Sequence, residues 1–257
     1  MTHRFHVTDP GDGEHVRLAP DTVHHLRVLG LSEGSEVVLF DGAGLELLAR
    51  IESLSRADAR AFVLRRTRLS REAAVELTLA CAVPKGPRMD TLVRACAELG
   101  VAAVVPLITR RSVVKPGKPA RHPRDPEPGQ GASQPSGKMA RWQKISVAAS
   151  EQSGRNRVMS VEPPAAFPDF LERSPGLGLA VLLSPDESAP ALPVLLAQHG
   201  ELARLVILVG PEGGFADDEL ELAAAHGLKT ARLTRSILRV ETACIAAAAV
   251  ALTHFSR

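Results

Sequence analysis

Apolar residues follow two different textures along this chain. Through residues 1–72 they come in short stretches punctuated by turns: "RFHV" (Arg4–Val7), "SEVVLFDG" (Ser35–Gly42), "LELLARIESL" (Leu45–Leu54) and "ARAFVLRRTRL" (Ala59–Leu69) predict strands. "DTVHHLRVL" (Asp21–Leu29) predicts the one helix of this block, and Asp-Gly and Gly-Ala-Gly, sharing Gly42, supply turn signals. The block predicts a small, mostly β domain.

From Val75 onward apolar runs alternate with amphipathic stretches. Strands are predicted at "VELTLACAV" (75–83), "AAVVPLI" (102–108), "GLAVLLS" (178–184), "RLVILVG" (204–210) and "TARLT" (230–234). Helices are predicted over 89–100, 139–154, 190–200, 217–227 and 241–255, with Gly100, Gly154, Gly200 and Gly227 standing where a left-handed residue ends a helix. This alternation predicts an α/β domain over 73–257, a mostly parallel sheet covered by helices, with the domain boundary near residues 70–75. Pro116–Lys138 is rich in proline, glycine and charge and predicts a flexible loop inside the second domain.

At 257 residues and 45% hydrophobic, the chain is long enough for a small and a larger globular domain, which excludes disorder of the whole. Cys81, Cys96 and Cys244 are odd in number, far apart and set among apolar residues, so they read as buried free thiols in a reducing compartment. The first residues have no apolar core of a secretory signal, and Ala243–Leu252 is too short to cross a bilayer; the expectation is a soluble, cytoplasmic protein with no membrane partner and no metal.

The net charge of +2 hides an uneven distribution. Residues 73–157 carry 14 basic and 6 acidic side chains, whereas residues 158–257 carry 7 and 12. No acid stands between Leu99 and Arg124, so the middle third is the candidate phosphate-facing surface.

Two stretches carry candidate chemistry. "VGPEGGF" (Val209–Phe215) lies between a predicted strand and a predicted helix, the usual place of a phosphate loop. It lacks the Lys-Ser/Thr of a P-loop and the three-glycine spacing of the dinucleotide fingerprint, and Glu212 would repel a phosphate. A cationic or neutral ligand fits that carboxylate better, and a plain tight turn is the other reading of the same glycines. "LTRSILRVETACIAAAAVAL" (Leu233–Leu252) follows one helix and one strand later, with an apolar turn flanked by Arg235 and Arg239 and a helix of small residues opened by Glu241. That position favours a structural anion over a proton acceptor.

Together, "VILVGPEGGF", "DELELA" and "SILRVETA" resemble the C-terminal signature of the SPOUT methyltransferase class, and within it the RsmE family, which methylates N3 of a uridine in bacterial 16S ribosomal RNA. "HHLRVLGLSEGSEVVLFDGAG" is similar to that family's PUA-like β-barrel module, and "KGPRMDTLVRACAELGVAAVVPLITRRSVVK" and "RWQKISVAASEQSGRNRV" match its other signatures in order. The resemblance implies a SPOUT-type sheet with a C-terminal trefoil knot, S-adenosylmethionine bound in the knot, and a homodimer whose partner completes the site. It assigns Leu183, Ser184, Gly210, Pro211, Glu212, Gly213, Gly214, Leu233, Ser236, Ile237 and Leu238 to the cofactor. Val240, Thr234, Gly30 and Ala216 depart from the family's usual Thr, Gly, Arg and Ser; Ala216 removes a helix N-cap that Asp217 is expected to replace.

For the chemistry, Glu212 is the candidate base or orienter, Arg239 the candidate stabiliser of a deprotonated uracil, and Glu241 a second carboxylate with a structural reading. For 16S ribosomal RNA or the small ribosomal subunit, the candidates are His24, His25, Arg27, Lys85, Arg88, Arg110, Arg111, Lys115 and Arg155. Aromatics are 3% of the chain with no tyrosine, which argues against an aromatic stacking platform and for recognition of phosphate and RNA shape. The competing readings are a ribose 2′-O-methyltransferase of the same class, a non-catalytic RNA-binding protein on the same fold, and a nucleotide-dependent α/β enzyme.

Overall fold

The computed structural model describes residues 2–112, 137–173, 176 and 178–256. They form two compact units, Met1–Glu72 with Val147–Val158, and Ala73–Ser146 with Met159–Arg257.

Residues up to Glu72 of the first unit form a five-stranded sheet with one helix. Its elements are β1 (His3–His6), β2 (His15–Arg17), α1 (Pro20–Val28), β3 (Glu36–Phe40), β4 (Leu45–Leu54) and β5 (Ala59–Arg68). The strand order is β1-β3-β4-β5-β2, antiparallel except for the parallel β1–β3 pair. Period-two alternation puts Val37, Leu39, Leu47, Ala49, Ile51, Ala59 and Ala61 on one face, where Val23 and Leu26 of α1 complete the core. Strand β2 is absent from the sequence-based reading because "HVR" has one apolar residue and no periodicity to detect.

The second unit holds β6 (Glu76–Ala82), α2 (Arg88–Leu99), β7 (Ala103–Ile108), α3 (Gly137–Ser153), β8 (Ser160–Val161), β9 (Ala165–Ala166), α4 (Phe167–Arg173), β10 (Leu179–Leu183), α5 (Leu192–Ala197), β11 (Arg204–Val209), α6 (Asp217–Ala225), β12 (Lys229–Ala231) and α7 (Val240–His254), with the end of α3 belonging to the first unit. All strand pairs are parallel, in the order β12-β10-β11-β6-β7-β8, and β9 also pairs with β7. Strands buried on both faces need no alternation, which is why they read as continuous apolar runs. Ala80, Leu182, Val206 and Leu208 face Phe167, Phe170 and Leu171 of α4 and Ala223 of α6. Helix α7 packs on β6, β11, α2 and α5. Cys81, Cys96 and Cys244 are buried and free, and burial pushes the Cys96 and Cys244 thiols well above the ordinary thiol range, which makes them packing groups.

The structure revises three predicted boundaries. Gly200 does not adopt a left-handed backbone; α5 ends earlier, with Gln198 as its C-cap. Helix α3 takes in Gly137 and Lys138, the end of the predicted loop, whose residues up to 136 lie outside the described residues. Strand β12 stops at Ala231, so Leu233 and Thr234 belong to a loop. One further element, helix α4, was not predicted, because "FPDFLER" is only two turns long and too short for a helical period to show.

Segment Val147–Val158 is held to the rest of the first unit by buried charge. Arg155 is buried and ion-paired with Glu72, its Nε donating to Oε1 at 3.1 Å. Glu46, buried on β4, accepts hydrogen bonds from Arg4 (2.6 Å) and from Arg71. Asn156 is buried and donates to the Leu69 carbonyl at 2.8 Å.

Candidate functional site

Three loops leave the carboxyl ends of adjacent parallel strands, the place where α/β sheets open a crevice. After β11 the chain runs through Gly210–Ala216 into α6, closing a turn by the Gly214 amide donating to the Pro211 carbonyl at 2.8 Å. Gly214 sits at φ +70°, which a side chain would strain. After β10, the Ser184 amide donates to the Ala231 carbonyl of β12 at 2.9 Å, tying the second loop to the strand that feeds the third. In that third loop Thr234 organises the turn: its hydroxyl donates to the Ser236 carbonyl at 2.9 Å and accepts from the Ser236 amide at 3.2 Å. Thr234 thus stiffens this turn through its own hydroxyl.

The loops enclose one cavity of about 430 Å³, within the range of small-molecule sites. All 11 residues assigned to the cofactor from the sequence line it. So do Arg111, Phe215, Asp217 and Thr234, which were not assigned. The Phe215 ring is buried against Phe167, centroids 5.1 Å apart, and a Cβ on Gly210 would come within 2.9 Å of it. Because Phe215 has no room to yield, Gly210→Ala is expected to destabilise the second unit by about 1–3 kcal/mol and distort the loop. Thermal denaturation reads this, and an unchanged midpoint would contradict it.

Charge around the cavity is organised by two arginines that the sequence placed on RNA. Arg111 Nη1 donates to the carbonyls of Gly213 (2.8 Å) and Phe215 (3.1 Å), tying down the glycine loop. Arg88, at the start of α2, lies between two carboxylates, with Nη1 3.8 Å from Glu212 Oε1 and Nε 3.5 Å from Glu241 Oε1. The Glu212 side chain is 44% exposed, whereas that of Glu241 is only 13% exposed and its Oε2 is buried without a partner. Glu241 and Arg239 do not line the cavity. Arg239, the N-cap residue of α7, is exposed and its side chain makes no ion pair or hydrogen bond among the described residues. Val240 is buried.

Other expectations are corrected here. Asp217 does not cap α6; Glu219 does, one Oε accepting from the Ala216 amide and the other from the Arg110 amide, both at 2.8 Å. A glutamate three residues into a helix is half of a capping box, so this signal was present in the sequence. Arg155 is buried on Glu72 and is not a surface cation. Arg110 is exposed and paired with Asp218 at 3.0 Å, and Lys85 is exposed. His24, His25 and Arg27 are exposed on α1 of the first unit, with His25 edge-on to Phe5. Lys115 lies outside the described residues.

Comparison with known proteins adds two kinds of likeness. The RNA methyltransferase domain family matches residues 71–125 and 129–252, and the RNA methyltransferase PUA domain family matches residues 18–63. The ribosomal RNA small subunit methyltransferase E of Synechocystis sp. is 34% identical over 230 residues, 89% of this chain and 69% of its own. That of Bacillus subtilis is 29% identical over 87% of this chain and 84% of its own. The crystal structure of the Neisseria gonorrhoeae ribosomal RNA small subunit methyltransferase E, bound to S-adenosyl methionine, superposes with a TM-score of 0.84 at 30% identity and covers 98% of each chain.

Proposed function

Since the chain belongs to the family of ribosomal RNA small subunit methyltransferases E, we propose that it transfers a methyl group from S-adenosylmethionine to N3 of a uridine in 16S ribosomal RNA. The observation that carries this reading is the convergence of the three strand-end loops on one cavity, together with the donor held by a structural relative over 98% of its length.

The cavity suits that donor. Its charged lining residues are Arg111, Glu212 and Asp217, and Arg111 is committed to backbone carbonyls, so the ligand meets surplus carboxylate. Bound there, S-adenosylmethionine supplies a methyl group on a positively charged sulfur. The chain's share of the work is alignment, exclusion of water and acceptance of a proton. The Leu182–Pro185, Pro211–Gly214 and Ser236–Leu238 loops line the pocket and supply the alignment. Glu212 takes the N3 proton as the N3–carbon bond forms and the carbon–sulfur bond breaks. Arg88 positions Glu212 by standing between it and Glu241. Arg239, uncommitted at the start of α7, balances the charge that develops on the uracil oxygen.

The same reading includes a homodimer built on the outward side of α7, where Ile245, Ala246, Ala249 and Val250 are only half-buried, and on Ile237, 79% exposed beside the cavity. A sedimenting mass of one chain would remove that part. It also includes the knotted path of the loops and, as substrate, free 16S ribosomal RNA or the small subunit in the cytoplasm. Among the described residues no helix is long and apolar enough to cross a membrane.

Nucleoside digestion of 16S ribosomal RNA incubated with the protein and labelled donor tests the reaction. The label is expected on the uracil base. Label on ribose, or none, would overturn the assignment.

A further inference from the structure

The sheet of the first unit has an outward face whose chemistry the cavity does not use. On β5, Ala59, Ala61 and Val63 face the core, so Arg60, Phe62 and, past the bulge at Leu48/Ala49, Arg65 face outward. The register sets Phe62 between His15 of β2 and Arg50 of β4, and pairs Arg60 with Arg17. Phe62 is 37% exposed, as is Leu64, the residue displaced at the bulge. The His15 ring meets Phe62 in an edge contact, centroids 5.4 Å apart, a geometry that leaves the arrangement open to a flat ligand.

The charges on this face are not all spent. Arg17 is paired with Asp58 (2.6 Å), Arg50 with Glu36 (3.2 Å), and His15 contacts Glu52 (3.0 Å). Arg60 and Arg65 are exposed, and their side chains make no ion pair or hydrogen bond among the described residues. Two uncommitted guanidinium groups therefore bracket one accessible aromatic ring, with Arg60 about 7 Å along the strand from Phe62.

We propose that this face binds an unpaired segment of the RNA substrate, with a base stacked on Phe62 and flanking phosphates on Arg60 and Arg65. Every base offers a π-face and every linkage a negative charge, and aromatic rings set among cations on a sheet answer both. The proposal rests on RNA being the substrate and adds a recognition surface separate from α1 and from the cavity. Overall aromatic content is a poor guide here, because stacking needs one ring in the right place.

Phe62→Trp adds an exposed indole to a chain whose single tryptophan, Trp142, is buried. With a short oligouridylate as the probe, the emission added by Phe62→Trp is expected to be quenched, and Phe62→Ala is expected to weaken binding about 10-fold. Arg60→Gln combined with Arg65→Gln should lower the slope of log affinity against log salt by about 1.4, the share of two phosphate contacts on a single strand. In methyl transfer, Phe62→Ala should raise KM for RNA about 10-fold at unchanged kcat. Binding within two-fold of wild type, or emission that answers to protein concentration and not to the oligonucleotide, would overturn the proposal. If Phe62→Ala loses the oligonucleotide but the wild type transfers no methyl, the face stands and the catalytic reading falls. If methyl is transferred with unchanged KM in Phe62→Ala, the face falls and catalysis stands.

Discussion

Glu212→Gln is expected to slow single-turnover methyl transfer about 100-fold while donor affinity, read by calorimetry, stays within about two-fold. The amide has the shape of the carboxylate and leaves the Pro211–Gly214 turn intact, but it cannot take a proton from N3. Glu212 lines the cavity with a half-exposed side chain, whereas Glu241 lies outside the lining, nearly buried at the start of α7. Glu241→Gln should therefore affect stability more than chemistry. Arg88→Gln separates the two roles: it removes the cation shared by both carboxylates and leaves Glu241 largely buried and unpaired, at a cost of about 1–3 kcal/mol. Adding Glu241→Gln should recover most of that stability and none of the rate. An unchanged single-turnover rate in Glu212→Gln would remove this carboxylate from the mechanism.

The second large effect concerns the first unit. Glu46→Gln is expected to destabilise it by about 2–3 kcal/mol near neutral pH, since the largely buried Arg4 and the half-exposed Arg71 would lose the buried anion they share. Burial pushes the Glu46 carboxyl up, but hydrogen bonds and charge from Arg71 and Arg4 outweigh it and hold the pKa below the ordinary 4.5. For a carboxyl whose native pKa is depressed, the stabilisation is full above the unfolded value and is lost as pH falls through the native one. The gap between wild type and Glu46→Gln should thus be constant above about pH 5 and close at lower pH. Amide hydrogen exchange along β3 to β5 measures it in this unit alone. A gap that persists undiminished into acid would show that shape, and not charge, is what Glu46 contributes.

Much of the site was legible because its parts are local. A glycine turn behind an apolar run and an apolar "SIL" turn ahead of a small-residue helix are each written in fewer than ten consecutive residues, and parallel strands show themselves as unbroken apolar runs because both faces are buried. Period-two patterning likewise exposed β3, β4 and β5. The short elements β2, β8, β9 and α4 carry too few residues for a period to emerge.

What the sequence by itself determined, then, is the longer strands and helices and the loops that line the cavity, since backbone geometry and burial act over neighbouring residues. What only the tertiary structure decided is the employment of each charge. Arg155 meets Glu72 across 83 residues, Glu219 meets the Arg110 amide across 109, and Arg88 stands between Glu212 and Glu241. A charged side chain takes whichever partner folding brings within reach, and desolvation settles whether it stays exposed to meet a ligand or is spent inside the protein. No composition or local spacing carries that information for Arg155 or Arg88.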